Sequence, residues 1–275
     1  MSHSRYPLLA RRWLRSFVRK RRHRDAFQEI ETIALFVGYR RSGHSLVGAL
    51  LDAHPDAAMA HGLDVLLHVR YGFSRDQIFT LMLENSRARA EDGRVVTGYS
   101  YAVPGQWQGR NRRLRVLGST RGGATARTLR DQPEAAERAD QVLGLPVRWI
   151  HVVRNPYDNI STLALRGRRK DLDEAIREYF RLVAGVARLR DRVGAERILD
   201  IRHEDLLASP EATLRRLAGG LGLEAPEDWL RDCRAILFDA PRRTREDAPW
   251  TPERIEQVAK AAERHPVLAD YRFDT

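Results

Sequence analysis

The stretch GYRRSGHS, Gly38 to Ser45, follows directly on an apolar run, Thr32 to Val37. Gly38 and Gly43 flank a turn that carries two hydroxyl residues, Ser42 and Ser45. A glycine-containing turn between a strand and a helix points successive backbone N–H groups, and the positive end of the helix, at an anion. The spacing is that of the phosphate loop G-x-x-x-x-G-K-[ST], with His44 where the lysine stands. The ATPase version of that loop reaches the β- and γ-phosphates with its lysine. Here Arg40 and Arg41 sit earlier in the turn, where an arginine points at a group transferred from the 5′ end of a shorter nucleotide.

Such a loop needs a buried strand before it and a helix after it. Residues 32–38 read as the strand. Ser45 to Ala53 read as the helix, with Leu46, Val47, Leu50 and Leu51 at helical spacing, stopped by His54-Pro55. A mostly helical stretch is expected to about Ala90, followed by strand-like runs at 94–100, 113–119, 146–154 and 197–204. Helices are expected around 158–166, 172–192, 210–221 and 252–264. Alternating short apolar strands and helices predict an α/β fold, a parallel sheet covered on both faces. No linker interrupts residues 25–275, which read as one domain.

The chain has 275 residues and a formal net charge of +11. Residues 1–24 hold nine Lys/Arg and no acid, whereas the remainder sets 39 bases against 37 acids. The body is nearly neutral, which argues against nucleic acid as the main partner. The basic segment puts Leu9, Trp13, Leu14, Phe17 and Val18 on one side of a helix and Arg11, Arg12, Arg15 and Arg19 on the other. Such a helix suits an anionic membrane surface through residues 7–24, or packs on the body. A single cysteine, Cys233, excludes an internal disulfide and fits a reducing, cytoplasmic compartment. No run is apolar enough to read as a transmembrane span or a secretion signal; membrane contact would be peripheral, at the inner face.

The loop GYRRSGHSLVGALLDAHP resembles the 5′-phosphosulfate loop of sulfotransferases that use 3′-phosphoadenosine 5′-phosphosulfate (PAPS), Y-P-[KR]-S-G-T-T-x-L. Its LLDAHP ending is most like the bacterial and protein-tyrosine branches. The resemblance implies a three-layer P-loop NTPase-like fold, with Arg41 on the catalytic basic position and Ser42, Gly43, His44 and Ser45 on the phosphate-cradling run. Arg40 replaces the usual proline and His44 the first threonine. A second run, VVRNPYDNISTLALR, resembles the 3′-phosphate motif R-[ND]-P-x-[DE]-x-x-x-S through Arg154, Asn155-Pro156 and Asp158, with Thr162 at the serine position and Ser161 beside it. Pro156 starts a helix whose first two turns put those hydroxyls on the side that Arg154 faces. A third run, 198–223, resembles the family's R-Y-E-D-L strand–turn–helix, with His203 for tyrosine and Glu204 and Asp205 bracing. The segment 241–255 resembles the one that closes over the nucleotide, making Arg242, Arg243 and Arg245 candidate contacts. The likeness spans roughly residues 32–270.

Sulfuryl transfer needs a base for the acceptor and cations for the charge on the bridging and sulfuryl oxygens. Gly62 aligns with the carboxylate of related branches, so the flanking His61 is the expected base, with Asp64 next. An imidazole at its usual pKa would titrate near 6 to 7. Arg121, on the glycine-rich turn LGSTRGGAT, replaces the family's sulfuryl-binding lysine. His54, His68 and Trp107 are candidates for the acceptor pocket.

The reading is a PAPS-dependent sulfotransferase acting on a small-molecule, carbohydrate or lipid acceptor hydroxyl or amine without a metal. PAPS has no γ-phosphate, so such a loop tolerates the missing lysine. The alternatives are a P-loop kinase or NTPase, with Asp200 as its magnesium-binding strand end, and a catalytically degenerate nucleotide-binding module held at a membrane by its basic segment.

Overall fold

The computed structural model describes residues 6–96, 98–166 and 171–274; the first five residues of the basic segment lie outside them. The chain opens with α1 (Tyr6–Arg19) and α2 (Arg24–Gln28), then runs through β1 (Thr32–Gly38), α3 (His44–Asp52), β2 (Ala57–Ala60), α4 (Val65–Arg70) and α5 (Arg75–Glu91). A small hairpin, β3 (Val95–Val96) and β4 (Tyr99–Ser100), precedes β5 (Val116–Ser119), α6 (Gly122–Asp131), α7 (Ala135–Leu143) and β6 (Val147–Val153). The second half holds α8 (Pro156–Arg166), α9 (Leu172–Val193), β7 (Ile198–Arg202), α10 (His203–Ala208), α11 (Pro210–Gly220), α12 (Glu227–Ala235) and α13 (Pro252–Ala262).

Five strands form one parallel sheet in the order β2-β5-β1-β6-β7. The continuous apolar run of β1 belongs at its centre, where both faces are covered. Because side chains alternate along a strand, Ile33, Leu35 and Val37 enter one core and Ala34 and Phe36 the other. The first core, with Trp149 and Tyr179, lies under α5, α6 and α9; the second, with Leu50 and Trp229, lies under α3, α11 and α12. The α/β sheet expected from the alternation is present.

Three local expectations are corrected. The stretch expected to be helical to Ala90 contains β2, whose AAMA is fully buried against β5; burial at the sheet edge overrides its helix propensity. Of the run 94–100, Val95–Val96 and Tyr99–Ser100 do not join the sheet but pair with each other as the β3–β4 hairpin, with Gly98 at φ 85°. The run 197–204 turns from β7 into α10 at His203.

The basic segment is a helix laid on the body. Leu9 and Ser16 of α1 are buried, and Gln77 of α5 donates to Trp13 O (3.1 Å) and Ser16 Oγ (3.4 Å). Arg15 and Arg19 both pair with Glu84 (3.0 and 3.3 Å).

Candidate active site

In a parallel sheet all strands end at one edge, so the loops leaving them converge there, as expected for a ligand crevice in this architecture. The turn after β1 carries Arg40 and Arg41, and that after β2 carries His61. Arg121 follows β5, Arg154 follows β6 and His203 follows β7. All of them line one cleft of about 670 Å³, a volume suited to a ligand of nucleotide size together with an acceptor.

The loop itself is tightly built. Gly43 has φ 106°, and a Cβ there would meet His203 Cδ2 at 2.8 Å. Arg41 adopts φ 70°, a left-handed conformation that costs a non-glycine residue about 1–2 kcal/mol. His44 packs edge-on to Phe36 and against Gly122, where a Cβ would lie 2.3 Å from its Cε1. Burial, then the neighbouring His151, push His44 down to about 3, so it is a neutral filler in the loop. The helix α3 starts at His44 with no side-chain cap, and Gly43, His44, Ser45 and Leu46 line the cleft. Its first N–H groups have no intrahelical acceptor and are available to an anion.

A second helix opens on the same space. The first residues of α6, again without a side-chain cap, line the cleft together with Arg121. Arg40, Arg41, Arg121 and Arg127 crowd around these two helix ends. Burial, then the guanidiniums of Arg127, Arg41 and Arg121, lower the pKa of Arg40. Among the described residues, seven arginines line the cleft and no Asp or Glu does. Like charges held together without acids are a site for a polyanion.

Arg154 organises the other end. Its guanidinium is buried and donates to the backbone oxygens of Arg41 and Arg242 and to the hydroxyls of Thr162 (3.5 Å) and Thr244 (3.3 Å). The loop, α8 and the 241–247 segment therefore meet at one cation. Asn155 N donates to Glu204 Oε1 (2.8 Å), which brings α10 to the same corner. Burial, then Arg154, push His203 down to about 4, and its Nδ1 is buried without a hydrogen-bond partner among the described residues.

At the opposite wall, His61 N donates to Asn85 Oδ1 (2.6 Å), and His61 Nδ1 lies 3.3 Å from Thr120 Oγ1, which also accepts from Gly62 N (3.3 Å). Burial, then Arg89, Arg94 and Arg121, lower His61 to about 4. The expected titration near 6 to 7 is thereby corrected: the imidazole is neutral throughout the physiological range. The mouth is apolar, formed by Val96, Tyr99, Tyr101 and Phe238. Tyr99 meets Phe238 edge-on at 6.2 Å, and Arg166, then Arg242, hold its hydroxyl below the usual phenol value.

Of the residues expected from the sequence, Arg40, Arg41, Gly43, His44, Ser45, His61, Arg121, Arg154, Thr162 and Arg242 come together in the cleft. Others do not. Ser42 is buried and donates to Tyr39 O (2.9 Å). Ser161 accepts from Trp250 Nε1 (2.8 Å), and Arg243 turns out to Asp274 O and Glu246. Arg245 is buried in an ion pair with Asp158 (3.0 Å). Asp64 caps α4, while His54 and His68 are buried against Trp229 and Phe73; Asp64, His54, His68 and Trp107 are all absent from the cleft wall. Sequence reasoning missed Arg127, Arg166, Thr120, Tyr99, Tyr101, Phe238 and Thr244. Only Arg166 had a local signal, one helical turn beyond Thr162.

Residues 114–227 match the model of the sulfotransferase family. The segment carries Arg121, Arg154 and His203, whereas the loop after β1 precedes it. Among solved structures, a sulfotransferase from Mycobacterium avium is similar with a TM-score of 0.55 and 13% identity, over 94% of this chain and 83% of that one. The sulfotransferase domain of the Synechococcus olefin synthase gives 0.49 and 18%, over 83% of each chain. The mouse sulfotransferase SULT7A1, complexed with PAP, gives 0.48 and 9%, over 89% and 90%. The first of these likenesses shows a shared fold. No curated protein matches this sequence.

Proposed function

We propose that the protein transfers a sulfuryl group from PAPS to a hydroxyl or amine of an acceptor with an apolar body. The observation that carries this reading is the acid-free cleft, in which seven arginines and two uncapped helix ends surround a space sized for a nucleotide. PAPS supplies the sulfuryl group and a 5′-phosphate leaving group. Arg154, Thr162 and Thr244 bind the 3′-phosphate. The N–H groups opening α3 and the Arg41 guanidinium take the charge that builds on the 5′-phosphate oxygen as its bond to sulfur breaks. Arg40 and Arg121 face the sulfuryl oxygens. The acceptor oxygen forms the new bond in line with the breaking one, and its proton passes to His61. For Nε2 to accept that proton, Nδ1–H donates to Thr120 Oγ1, whose lone pairs serve both it and Gly62 N–H. The apolar mouth takes a lipid, a phenol or another small molecule more readily than a bare sugar. The buried lone thiol of Cys233 accords with a cytoplasmic setting.

The magnesium-dependent alternative needs a free carboxylate at the end of β7. Asp200 instead accepts from His151 Nδ1 (2.7 Å) and Arg190 (2.8 Å), and is absent from the cleft wall. Calorimetry with 3′-phosphoadenosine 5′-phosphate against ATP–magnesium separates the two readings. Tight ATP binding with none of the bisphosphate would overturn the proposal. Turnover with labelled PAPS should survive a chelator and fall about 10²–10³-fold in Arg41→Ala.

A further inference from the structure

Nine large apolar side chains are exposed among the described residues, and five of them, Leu8, Trp13, Leu14, Phe17 and Val18, belong to α1. At 100° per residue, Trp13, Phe17, Leu14 and Val18 form one continuous stripe, and Arg11, Arg15 and Arg19 form the stripe beside it. The line that α1 buries against α5 is narrower, consisting of Leu9 and Ser16. The helix thus keeps its larger amphipathic face for something outside the molecule. That face is ordered: Trp13 stacks on Phe17 at 5.1 Å, and Lys20 Nζ sits 4.5 Å over the Phe17 ring. Arg11, Arg21 and Arg22 are exposed and have no acid partner among the described residues.

We infer that α1 docks the protein flat on an anionic lipid bilayer, with Trp13, Leu14, Phe17 and Val18 in the headgroup–acyl boundary and Arg11, Arg21 and Arg22 on the lipid phosphates. A helix of 14 residues is about 21 Å long, and no helix here is apolar and long enough to span a membrane. Adjacent apolar and cationic stripes match the layered chemistry of a bilayer surface. A second copy of the chain fits poorly in the antiparallel arrangement, because that isologous contact brings the two arginine stripes onto one side. Nucleic acid would use the cations and leave Trp13 and Phe17 in water. Glu84, which anchors Arg15 and Arg19, is followed by Asn85, whose side chain holds His61 in the cleft wall. The docked helix therefore braces on the same turn of α5 as the candidate site. The inference stands independently of the sulfotransferase proposal.

The test is co-sedimentation of the full chain with vesicles of phosphatidylcholine alone and with phosphatidylglycerol added. Binding is expected only to the anionic vesicles and should weaken as salt is raised. Arg11→Gln/Arg21→Gln/Arg22→Gln should lower partitioning roughly 100-fold or more. Trp13→Ser/Leu14→Ser/Phe17→Ser should do so comparably. Both variants change exposed residues outside the cleft, and an unchanged circular dichroism spectrum and urea-unfolding midpoint check that they fold. Equal binding to both vesicle types, or unaltered binding by either variant, overturns the inference. Dimerisation that the serine variant abolishes, without vesicle binding by the wild type, overturns it in favour of a self-interface.

Discussion

The ring of His44 is wedged against Gly122. Gly122 is the first residue of α6, and its φ is not positive, so alanine suits its backbone. On an open helix, Gly→Ala stabilises by about 0.4–1 kcal/mol. Here the new Cβ would lie 2.3 Å from His44 Cε1 and 2.8 Å from Nδ1, well inside contact distance. The imidazole has little room to retreat, since Phe36 and the space above Gly38 bound it on other sides. Overpacking of this kind costs about 1–3 kcal/mol. Gly122→Ala should therefore destabilise the wild type by about 0–2.6 kcal/mol and stabilise the His44→Ala background by about 0.4–1 kcal/mol. A double-mutant cycle by urea denaturation at pH 7 should yield a coupling of about 1–3 kcal/mol. Since His44 begins α3, Gly122→Ala should also weaken binding of 3′-phosphoadenosine 5′-phosphate, and His44→Thr should restore it. Additivity of the two substitutions within about 0.5 kcal/mol would refute the wedge.

Stability should fall as pH drops from 7 towards 4. His44, His61 and His203 stay neutral in the folded protein but gain protons on unfolding below about 6.5, so the unfolded state binds more protons in that window. Urea melts showing constant or rising stability between pH 7 and 5 would contradict this. The kcat/KM of the free enzyme should show no limb from His61 between pH 6 and 7 and should lose activity only towards about 4; His61→Ala should cost about 10²–10⁴-fold at pH 7. Arg41→Gly should relieve the left-handed strain and raise stability by up to about 1 kcal/mol while abolishing most turnover, as thermal melts and a labelled-PAPS assay would report. Arg154→Met should weaken nucleotide binding and also expose residues 240–247 to limited proteolysis, because Arg154 holds Arg242 O and Thr244.

The tight glycine–arginine turn after β1 was legible because its signals are local. Two glycines, two arginines and the flanking apolar runs lie within about twenty residues, and each has one conformational use. Arg154 and Thr162 were legible for the same reason, since Arg154 lies two residues before α8 and Thr162 within it. Arg127, Tyr99 and Phe238 reach the cleft from α6, a hairpin and the loop after α12, and only the sheet's tertiary arrangement brings them together. Side-chain direction was equally out of reach: nothing in the spacing shows that Ser42 turns inward to Tyr39 O or that Ser161 serves Trp250. The lowered pKa of His61 belongs to the same class, since it comes from burial and from Arg89, Arg94 and Arg121, distant in sequence. The strand β2 was hidden because an alanine-rich tetrapeptide has the local preferences of a helix.

The short segment from Phe238 to Thr244 does two jobs at once. Phe238 closes the apolar mouth against Tyr99, while Arg242 O and Thr244 are tied to Arg154. On the proposed function, a phosphate arriving at Arg154 would compete for donors that now hold this segment, so its occupancy would alter the freedom of Phe238. Linkage then works in both directions: an acceptor that fixes Phe238 must change nucleotide affinity by the same factor that the nucleotide changes acceptor affinity. On the proposed function, such reciprocity would appear in equilibrium titrations, where the dissociation constant of the spent nucleotide shifts by the same factor as that of the acceptor.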